Sequence, residues 1–147
     1  YASDINESGV IVSGALFDDD LGANSGSLYV YTPDGMGGYS ETKLKASDGA
    51  ANEDFGREVA ISNSGVIVVG AYGDDDKGSN AGAVYVYSPD GNGGYNEIKL
   101  TAFDGAAGDR FGLSVSIDNN DRITVGAHLD DDNGSSSGSV YVFEQRP

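Results

Sequence analysis

Three short acidic segments recur along the 147-residue chain, and each contains three consecutive aspartates. They occupy residues 18–20, 74–76 and 130–132, and each is followed within two residues by glycine. Carboxylate oxygens in flexible, glycine-rich loops suit Ca²⁺ better than a transition metal. Side chains alternate along an extended segment, so the outer two aspartates of each triplet can share a site. The segments therefore predict calcium ligands at Asp18, Asp20, Asp74, Asp76, Asp130 and Asp132.

A second repeated acidic segment adds two candidate ligands. It reads SDGAANEDFG at residues 47–56 and FDGAAGDRFG at residues 103–112, and it contributes Asp48 and Asp104. The same residues are also typical of solvated acidic turns, because aspartate starts turns, glycine adopts positive φ and salt screens the charge. The sequence leaves calcium binding and a solvated turn open as alternatives.

Residues suited to catalysis are few. The one histidine, His128, stands where the sister copies of this segment have Leu16 and Tyr72, which indicates a packing or rim residue. Cysteine is absent, and no strand-turn-helix pattern surrounds a serine nucleophile. We therefore expect a protein that is not an enzyme.

The charge balance excludes whole classes of partner. Asp and Glu number 24 against 8 Lys and Arg, which gives a formal net charge of −16. Because no basic patch exists to neutralise phosphates, we expect no nucleic-acid partner and no attraction to an anionic membrane. Every apolar run is far shorter than the roughly 18 residues of a membrane span, so we expect no membrane insertion.

The acidic segments belong to an internal repeat that predicts the fold. Residues 1–56 align with residues 57–112 without a gap, about 33 of these 56 positions are identical, and residues 113–147 begin a third copy. In the second copy we expect four strands, at residues 58–62, 66–71, 83–88 and 95–102. The last strand alternates Ile98 and Leu100 with Glu97 and Lys99, which we interpret as a solvated, charge-protected edge.

Four strands with an apolar middle and a polar outer strand are typical of a β-propeller blade. The sequence therefore predicts an all-β protein with full blades at residues 1–56 and 57–112 and a three-stranded partial blade at residues 113–147. A β-solenoid is the alternative, but its coils are normally shorter than this period. Up-and-down strand order would gather all eight candidate aspartates on one rim.

Two dipeptides connect the repeat to a known family. Phe55-Gly56 and Phe111-Gly112 precede each new copy, and GA closes the second strand at residues 14–15, 70–71 and 126–127. This pairing resembles the FG-GAP repeat of integrin α-subunit propellers, and the DDDxGxxxGxxYVY segment is closer still to FG-GAP-like repeats of microbial and algal extracellular proteins. The resemblance covers the whole chain and implies a secreted or cell-surface propeller.

The chain departs from that family pattern in two ways. Leu16, Tyr72 and His128 replace the proline of GAP. The D-x-D-x-D-G calcium loop that integrin-type blades carry between their first two strands is missing, so the family's usual metal position is not carried over. Asn6 and Asn133 begin N-x-S sequons, which become glycosylation sites if the chain is exported from a glycosylating cell.

Two blades and three strands do not close a ring, since closed propellers use about four to eight blades. Isolated blades would expose apolar faces, so we expect the chain to associate with itself or with the remainder of a longer propeller. The near-identity of the copies favours a structural or adhesive, self-assembling role, which calcium bound on the rim would stabilise. The alternative is a lectin-like or protein-recognising module that binds a glycan or protein ligand.

Overall fold

The computed structural model describes residues 2–144, and every regular element in that range is a β-strand. The first sheet contains β1 (Ser3–Ile5), β2 (Ile11–Ala15), β3 (Ser27–Pro33) and β4 (Tyr39–Leu44). The second contains β5 (Val59–Ile61), β6 (Ile67–Ala71), β7 (Ala83–Pro89) and β8 (Tyr95–Leu100). The third contains β9 (Ser114–Ile117), β10 (Arg122–Ala127) and β11 (Ser139–Glu144).

Strands that follow one another in the sequence pair antiparallel within each sheet. The predicted all-β fold of four-stranded sheets, with three strands in the third, is therefore confirmed. Residue 1 and residues 145–147, which the predicted division assigns to the first and third blades, lie outside the described residues. The division of the chain after residues 56 and 112 stays a prediction.

The loop between the third and fourth strands is a tight hairpin, as its Pro-Asp-Gly composition predicts. Asp34 Oδ1 accepts the backbone N–H of Met36 at 2.7 Å and that of Gly38 at 2.9 Å. Asp90 repeats both contacts in the second sheet. Hydrogen bonds from these backbone amides hold the pKa of Asp34 and that of Asp90 below the usual range. The aspartates at this end of the sheets therefore act as turn formers.

The three sheets approach one another most closely at their first strands. The backbone of β1 lies against β5, and that of β5 lies against β9. Each sheet turns one face towards the preceding sheet, called here its front face, and one towards the following sheet, its back face. This arrangement, with short inner strands together and sheets stacked in chain order, is that of neighbouring propeller blades.

Apolar side chains fill both spaces between the sheets. Between the first two sheets, Val12 and Val30 of the back face meet Val69 and Tyr85 of the next front face. The second space repeats this arrangement one blade further along, and its buried residues are Val66, Val68, Val84, Val86, Ala102, Phe111, Ile123, Val125, Ala127 and Tyr141. Both faces of the second sheet are therefore buried, which explains the continuous apolar run of β6.

A phenylalanine from each FG dipeptide is wedged between two sheets. Phe55 is fully buried, and its ring centroid lies 5.4 Å from that of Tyr85 in an edge-to-face contact. Phe111 makes the equivalent contact with Tyr141 at 5.2 Å. Such pairs contribute about 0.5–1.5 kcal/mol beyond the burial of their area. The FG dipeptide therefore joins consecutive blades as well as marking the repeat.

The glycines of the FG and GA dipeptides touch each other. A Cβ placed on Gly14 or Gly70 would overlap the carbonyl oxygen of Gly56 or Gly112, respectively. Gly56 and Gly112 in turn adopt φ values of +90° and +89°, a region that disfavours L side chains. The sequence motif is thus explained by a backbone-to-backbone approach that leaves no room for a side chain.

We expect Gly70→Ala to lower the free energy of unfolding by about 3 kcal/mol, because the new methyl group must push two backbones apart. Gly126→Ala is the matched control. Its Cβ meets only the Ser114 hydroxyl, which rotates away, so we expect a change within about 1 kcal/mol. Urea denaturation measures both, and equal losses would contradict the proposed role of the backbone contact.

Candidate functional site

The first acidic loop follows β2 and is held in shape by two of its aspartates. Asp18 Oδ1 accepts the backbone N–H of Asp20 at 3.1 Å, and Asp19 Oδ1 accepts that of Asn24 at 2.7 Å. Both contacts recur in the second loop. The middle aspartate is therefore occupied by the loop itself, which leaves the outer two to bind a cation.

A lysine from the fourth strand of the same sheet lies between those outer aspartates. In the first sheet, Lys43 Nζ is 2.7 Å from Asp18 Oδ2 and 2.7 Å from Asp20 Oδ2. Lys45 adds a longer contact, 3.4 Å from Asp20 Oδ2. The ammonium group also stands over the ring of Tyr29, 5.4 Å from its centroid. The first loop thus has its own positive charge.

The second sheet builds a more buried version of the same cluster. Lys99 Nζ lies 2.6 Å from Asp74 Oδ2, 2.6 Å from Asp76 Oδ2 and 2.9 Å from Asp48 Oδ2. The Asp74 side chain is 1% exposed and that of Lys99 is 18% exposed. Asp48 comes from the segment that leads into the second sheet, so two different loops meet on this lysine.

A tyrosine of the third strand closes the base of the cluster. The Tyr85 hydroxyl donates to Asp48 Oδ1 at 2.7 Å and lies 3.3 Å from Asp74 Oδ2. Since Tyr85 pairs with Lys99 across β7 and β8, the two donors stand side by side on one face of the sheet. Tyr85 therefore belongs both to the apolar core, through its ring, and to the rim, through its hydroxyl.

The charges in this cluster stabilise one another. Burial alone would lower the pKa of the Lys99 ammonium, but hydrogen bonds to Asp74, Asp76 and Asp48 outweigh it and raise that pKa. Burial likewise opposes ionisation of Asp48, yet Lys99 and Tyr85 hold its pKa below the usual value. A lowered carboxyl pKa gives stability that is present above the usual pKa and lost as the pH falls. The raised lysine pKa gives stability that is lost only as the pH rises through it.

The third sheet repeats the acidic half of the cluster. The Tyr141 hydroxyl lies 2.7 Å from Asp104 Oδ1 and 2.9 Å from Asp130 Oδ2. Among residues 2–144, no lysine or arginine forms an ion pair with Asp104, Asp130 or Asp132. The nearby charge of Asp130, together with burial and the charge of Asp104, raises the pKa of Asp132. This acidic group is therefore left uncompensated within the described part of the chain.

A buried carboxylate stands behind the second and the third of these clusters. Glu53 is 9% exposed, and within the described residues its Oε2 has no hydrogen-bond partner. Burial, and less strongly the charge of Asp74, raises the pKa of Glu53. Asp109 occupies the equivalent place in the next repeat, where its Oδ2 accepts the backbone N–H of Ala106 at 2.7 Å. Neither residue was among the predicted ligands, although both recur at one position of the repeat.

The structure confirms β8 as the edge strand of its sheet, but the prediction that its charged face is solvated was wrong. Lys99 is mostly buried in the acidic cluster, and Glu97 accepts a hydrogen bond from the Tyr87 hydroxyl at 2.8 Å. Ile98, on the other face, is 55% exposed. Alternation identifies the two faces of a strand but not which of them is covered. The recurrence of lysine at residues 43 and 99 was the signal that could have revealed its role.

The remaining predicted positions differ in exposure. Asn6 is 9% exposed, and its Nδ2 donates to the backbone carbonyl of Ser62 at 3.2 Å. Asn133 is exposed in the third acidic loop, and His128 is exposed after β10. Glycosylation of Asn6 and Asn133 stays a prediction, with Asn133 the more accessible of the two.

Calcium binding by the eight aspartates also stays a prediction. The structure brings Asp48, Asp74 and Asp76 together on Lys99, and it brings Asp104 and Asp130 together on Tyr141. Asp18 and Asp20 share Lys43. In residues 2–144, no group of three or more His, Cys, Asp or Glu side chains has a geometry suited to a metal ion.

The chain matches a known family of repeats. The family model described as FG-GAP repeat matches residues 39–87 and 95–143, which together make up about two thirds of the chain. Each matched segment begins with the fourth strand of one sheet and continues into the third strand of the next. No curated protein matches the chain.

We expect Lys99→Gln to lower the free energy of unfolding by about 2–3 kcal/mol, because it leaves Asp74 buried without its partner. Lys77→Gln removes the same charge from an exposed loop position and should change it by about 0.5 kcal/mol or less. The difference between the two variants should be full near neutral pH and shrink as the pH falls below the usual pKa of aspartate, because Asp48, whose pKa is lowered in the folded protein, becomes protonated there. Chemical denaturation at several pH values measures it, and equal stabilities at pH 7 would contradict the cluster's role.

Proposed function

Since the chain belongs to the FG-GAP repeat family, whose repeats are typical of extracellular proteins, we propose that it is a structural or adhesive propeller module that works outside the cell. The observation that carries the proposal is the way its sheets stack, with the same Val, Tyr and Phe contacts at both junctions. Because the same contacts recur at both junctions, further sheets of this kind can stack in the same way to form a larger assembly. No helix in the described range has the length and apolar character needed to cross a membrane.

A non-catalytic role is supported by how the polar side chains are used. The FG-GAP repeat is typically non-catalytic. The rim aspartates of the first two sheets are engaged by lysine, and Tyr85 and Tyr141 donate to aspartates at the base of each rim. A general acid or base needs a free face towards a substrate. The aspartate, lysine and tyrosine side chains named above instead contact one another.

The two ends of the stack supply surfaces for self-association. Val140 and Val142, on the back face of the third sheet, are 74% and 59% exposed. Their equivalents in the second sheet, Val84 and Val86, are 0% and 3% exposed because the third sheet covers them. On the front face of the first sheet Ile5 is 58% exposed. We infer that the back face of one copy packs on the front face of another, so that two copies would supply six blades.

A second candidate function is ligand binding at the end opposite the acidic loops. A polar groove of about 550 Å³ crosses the hairpins there, and Ser8, Thr42, Asn63, Ser64 and Tyr95 line it. Hydroxyl and amide groups beside an aromatic ring suit a sugar or a polar protein loop. Micromolar binding on a glycan array or in a pull-down, abolished by filling the groove with Thr42→Tyr, would favour this alternative over a purely structural role.

We expect sedimentation equilibrium at micromolar concentration to give the mass of a dimer or a larger assembly. Val140→Glu should shift the distribution towards the monomer, because it places a charge in the proposed interface. Met36→Glu adds the same charge at a hairpin tip where the side chain is 88% exposed, and should leave the mass unchanged. A parent protein that stays monomeric throughout would refute the assembly.

Calcium is the second cation, after lysine, proposed to neutralise the aspartates of the rim. Thermal melts distinguish calcium binding from neutralisation by lysine. Because Lys43 and Lys99 already neutralise two loops, we expect millimolar CaCl₂ and NaCl of equal ionic strength to raise the melting temperature alike. Specific calcium binding would instead add a further rise through mass action. That extra rise, lost in the Asp74→Asn, Asp76→Asn double variant, would establish the calcium site.

A further inference from the structure

Two asparagine-glycine pairs occur in the chain. Asn92-Gly93 lies in the hairpin between β7 and β8, and Asn133-Gly134 lies in the third acidic loop. All four residues are exposed. Asparagine is among the least durable side chains in proteins, and a glycine after it leaves the side-chain amide open to attack by the main chain. The two pairs are alike in sequence, but their backbone hydrogen bonds differ.

The reaction at such a pair needs only water. The backbone nitrogen of the glycine loses its proton and attacks Cγ of the asparagine, so that a nitrogen–carbon bond forms and the bond from Cγ to Nδ2 breaks. Ammonia leaves, and a cyclic succinimide remains. Water then opens the ring at either of its two carbonyl carbons, which gives aspartate or isoaspartate. An amide and one water thus become a carboxylate and ammonium, and nothing is oxidised or reduced.

The third acidic loop holds its glycine in place. Gly134 donates its N–H to the carbonyl of Asp131 at 3.0 Å, and its own carbonyl accepts the N–H of Ser137 at 3.0 Å. Because the nitrogen must lose its proton before it can attack, the hydrogen bond to Asp131 has to break first. Asp131 and Asp132 also add negative charge, which opposes formation of the amide anion. Asn133 is therefore protected in spite of its exposure.

The hairpin leaves the nitrogen of its glycine unbonded. In the part of the chain that the structure describes, the N–H of Gly93 donates to no acceptor. The amides on either side, those of Asn92 and Gly94, donate to Asp90 Oδ1 at 2.7 Å and 2.9 Å. A Cβ placed on Gly93 would meet nothing within 4 Å, so the succinimide ring has room to close. The hairpin thus keeps its shape while the reacting nitrogen stays free.

We propose that Asn92 is a site of spontaneous deamidation and that the folded acidic loop protects Asn133. The modification goes beyond the structural role proposed above and does not depend on it. Either product adds a negative charge to a hairpin whose Gly93 and Gly94 line the polar groove. Isoaspartate also lengthens the main chain by one methylene group, so the two flanking amides can no longer share Asp90 Oδ1. The wall of the groove therefore changes as the protein ages.

Incubation of the full chain, produced without N-glycans, at physiological temperature and mildly alkaline pH tests the proposal. The intact mass should rise by about 1 Da as one amide becomes a carboxylate. Peptide mapping with electron-transfer fragmentation, which separates aspartate from isoaspartate, should locate the change at Asn92. Asn133 should react at least about fivefold more slowly, because its glycine must first lose a hydrogen bond. Asn92→Met, which copies Met36 of the first hairpin, is the matched control and should keep its mass.

Unfolding separates the effect of the structure from that of the sequence. In guanidinium chloride both glycine nitrogens are free, so Asn92 and Asn133 should react at similar rates. Reaction at Asn133 as fast as at Asn92 in the folded chain would overturn the proposal. A folded chain that reacts at neither residue, while the unfolded chain reacts at both, would overturn it too. Deamidation of Asn92 in a chain that sediments as a monomer would support the site and refute only the proposed assembly.

Discussion

Each sheet of this protein depends on its neighbours to cover its apolar faces. The second sheet shows the dependence most clearly, because all of β5 and β6 is buried between the first and third sheets. Burial of a valine or an aromatic side chain contributes about 1.5–3 kcal/mol, so a single sheet without its neighbours would lose most of its stabilisation. The FG glycine and the GA glycine set the distance of approach, and the FG phenylalanine fills the space that remains. The other features of the repeat therefore form only when the sheets stack on one another.

The acidic rim follows from the same stacking. The loop that connects the first sheet to the second brings Asp48 against β7 and β8, where Asp74 is already buried. Two carboxylates in that position would repel each other strongly, and burial would raise their energy further. Lys99 and the Tyr85 hydroxyl offset both costs by direct contact. Lysine is therefore placed where the loops crowd the aspartates together, and this placement reduces the repulsion there although the chain as a whole keeps its net charge of −16.

Much of the fold could be predicted from the sequence, because a gapless repeat gives the same strand pattern several times. The strands expected at 66–71 and 83–88 agree closely with β6 and β7. The partners of the rim aspartates could not be predicted in the same way. Alternation in β8 separates Lys99 from Ile98 but does not show which face the neighbouring sheet covers. The two loops that meet on Lys99 are 26 residues apart at Asp48 and Asp74, and only the three-dimensional stacking brings them together.

The family model divides the repeat at a different point from the sheets. The family model matches segments that run from the fourth strand of one sheet to the third strand of the next, so each match includes the junction between two blades. That junction holds the FG phenylalanine, the paired glycines and the lysine of the fourth strand. Within one matched segment, residues 95–143, Lys99 belongs to the second sheet, whereas Asp104 belongs to the loop that serves the third. Each matched segment therefore carries the close-packed glycines and the paired charges through which two neighbouring sheets contact each other.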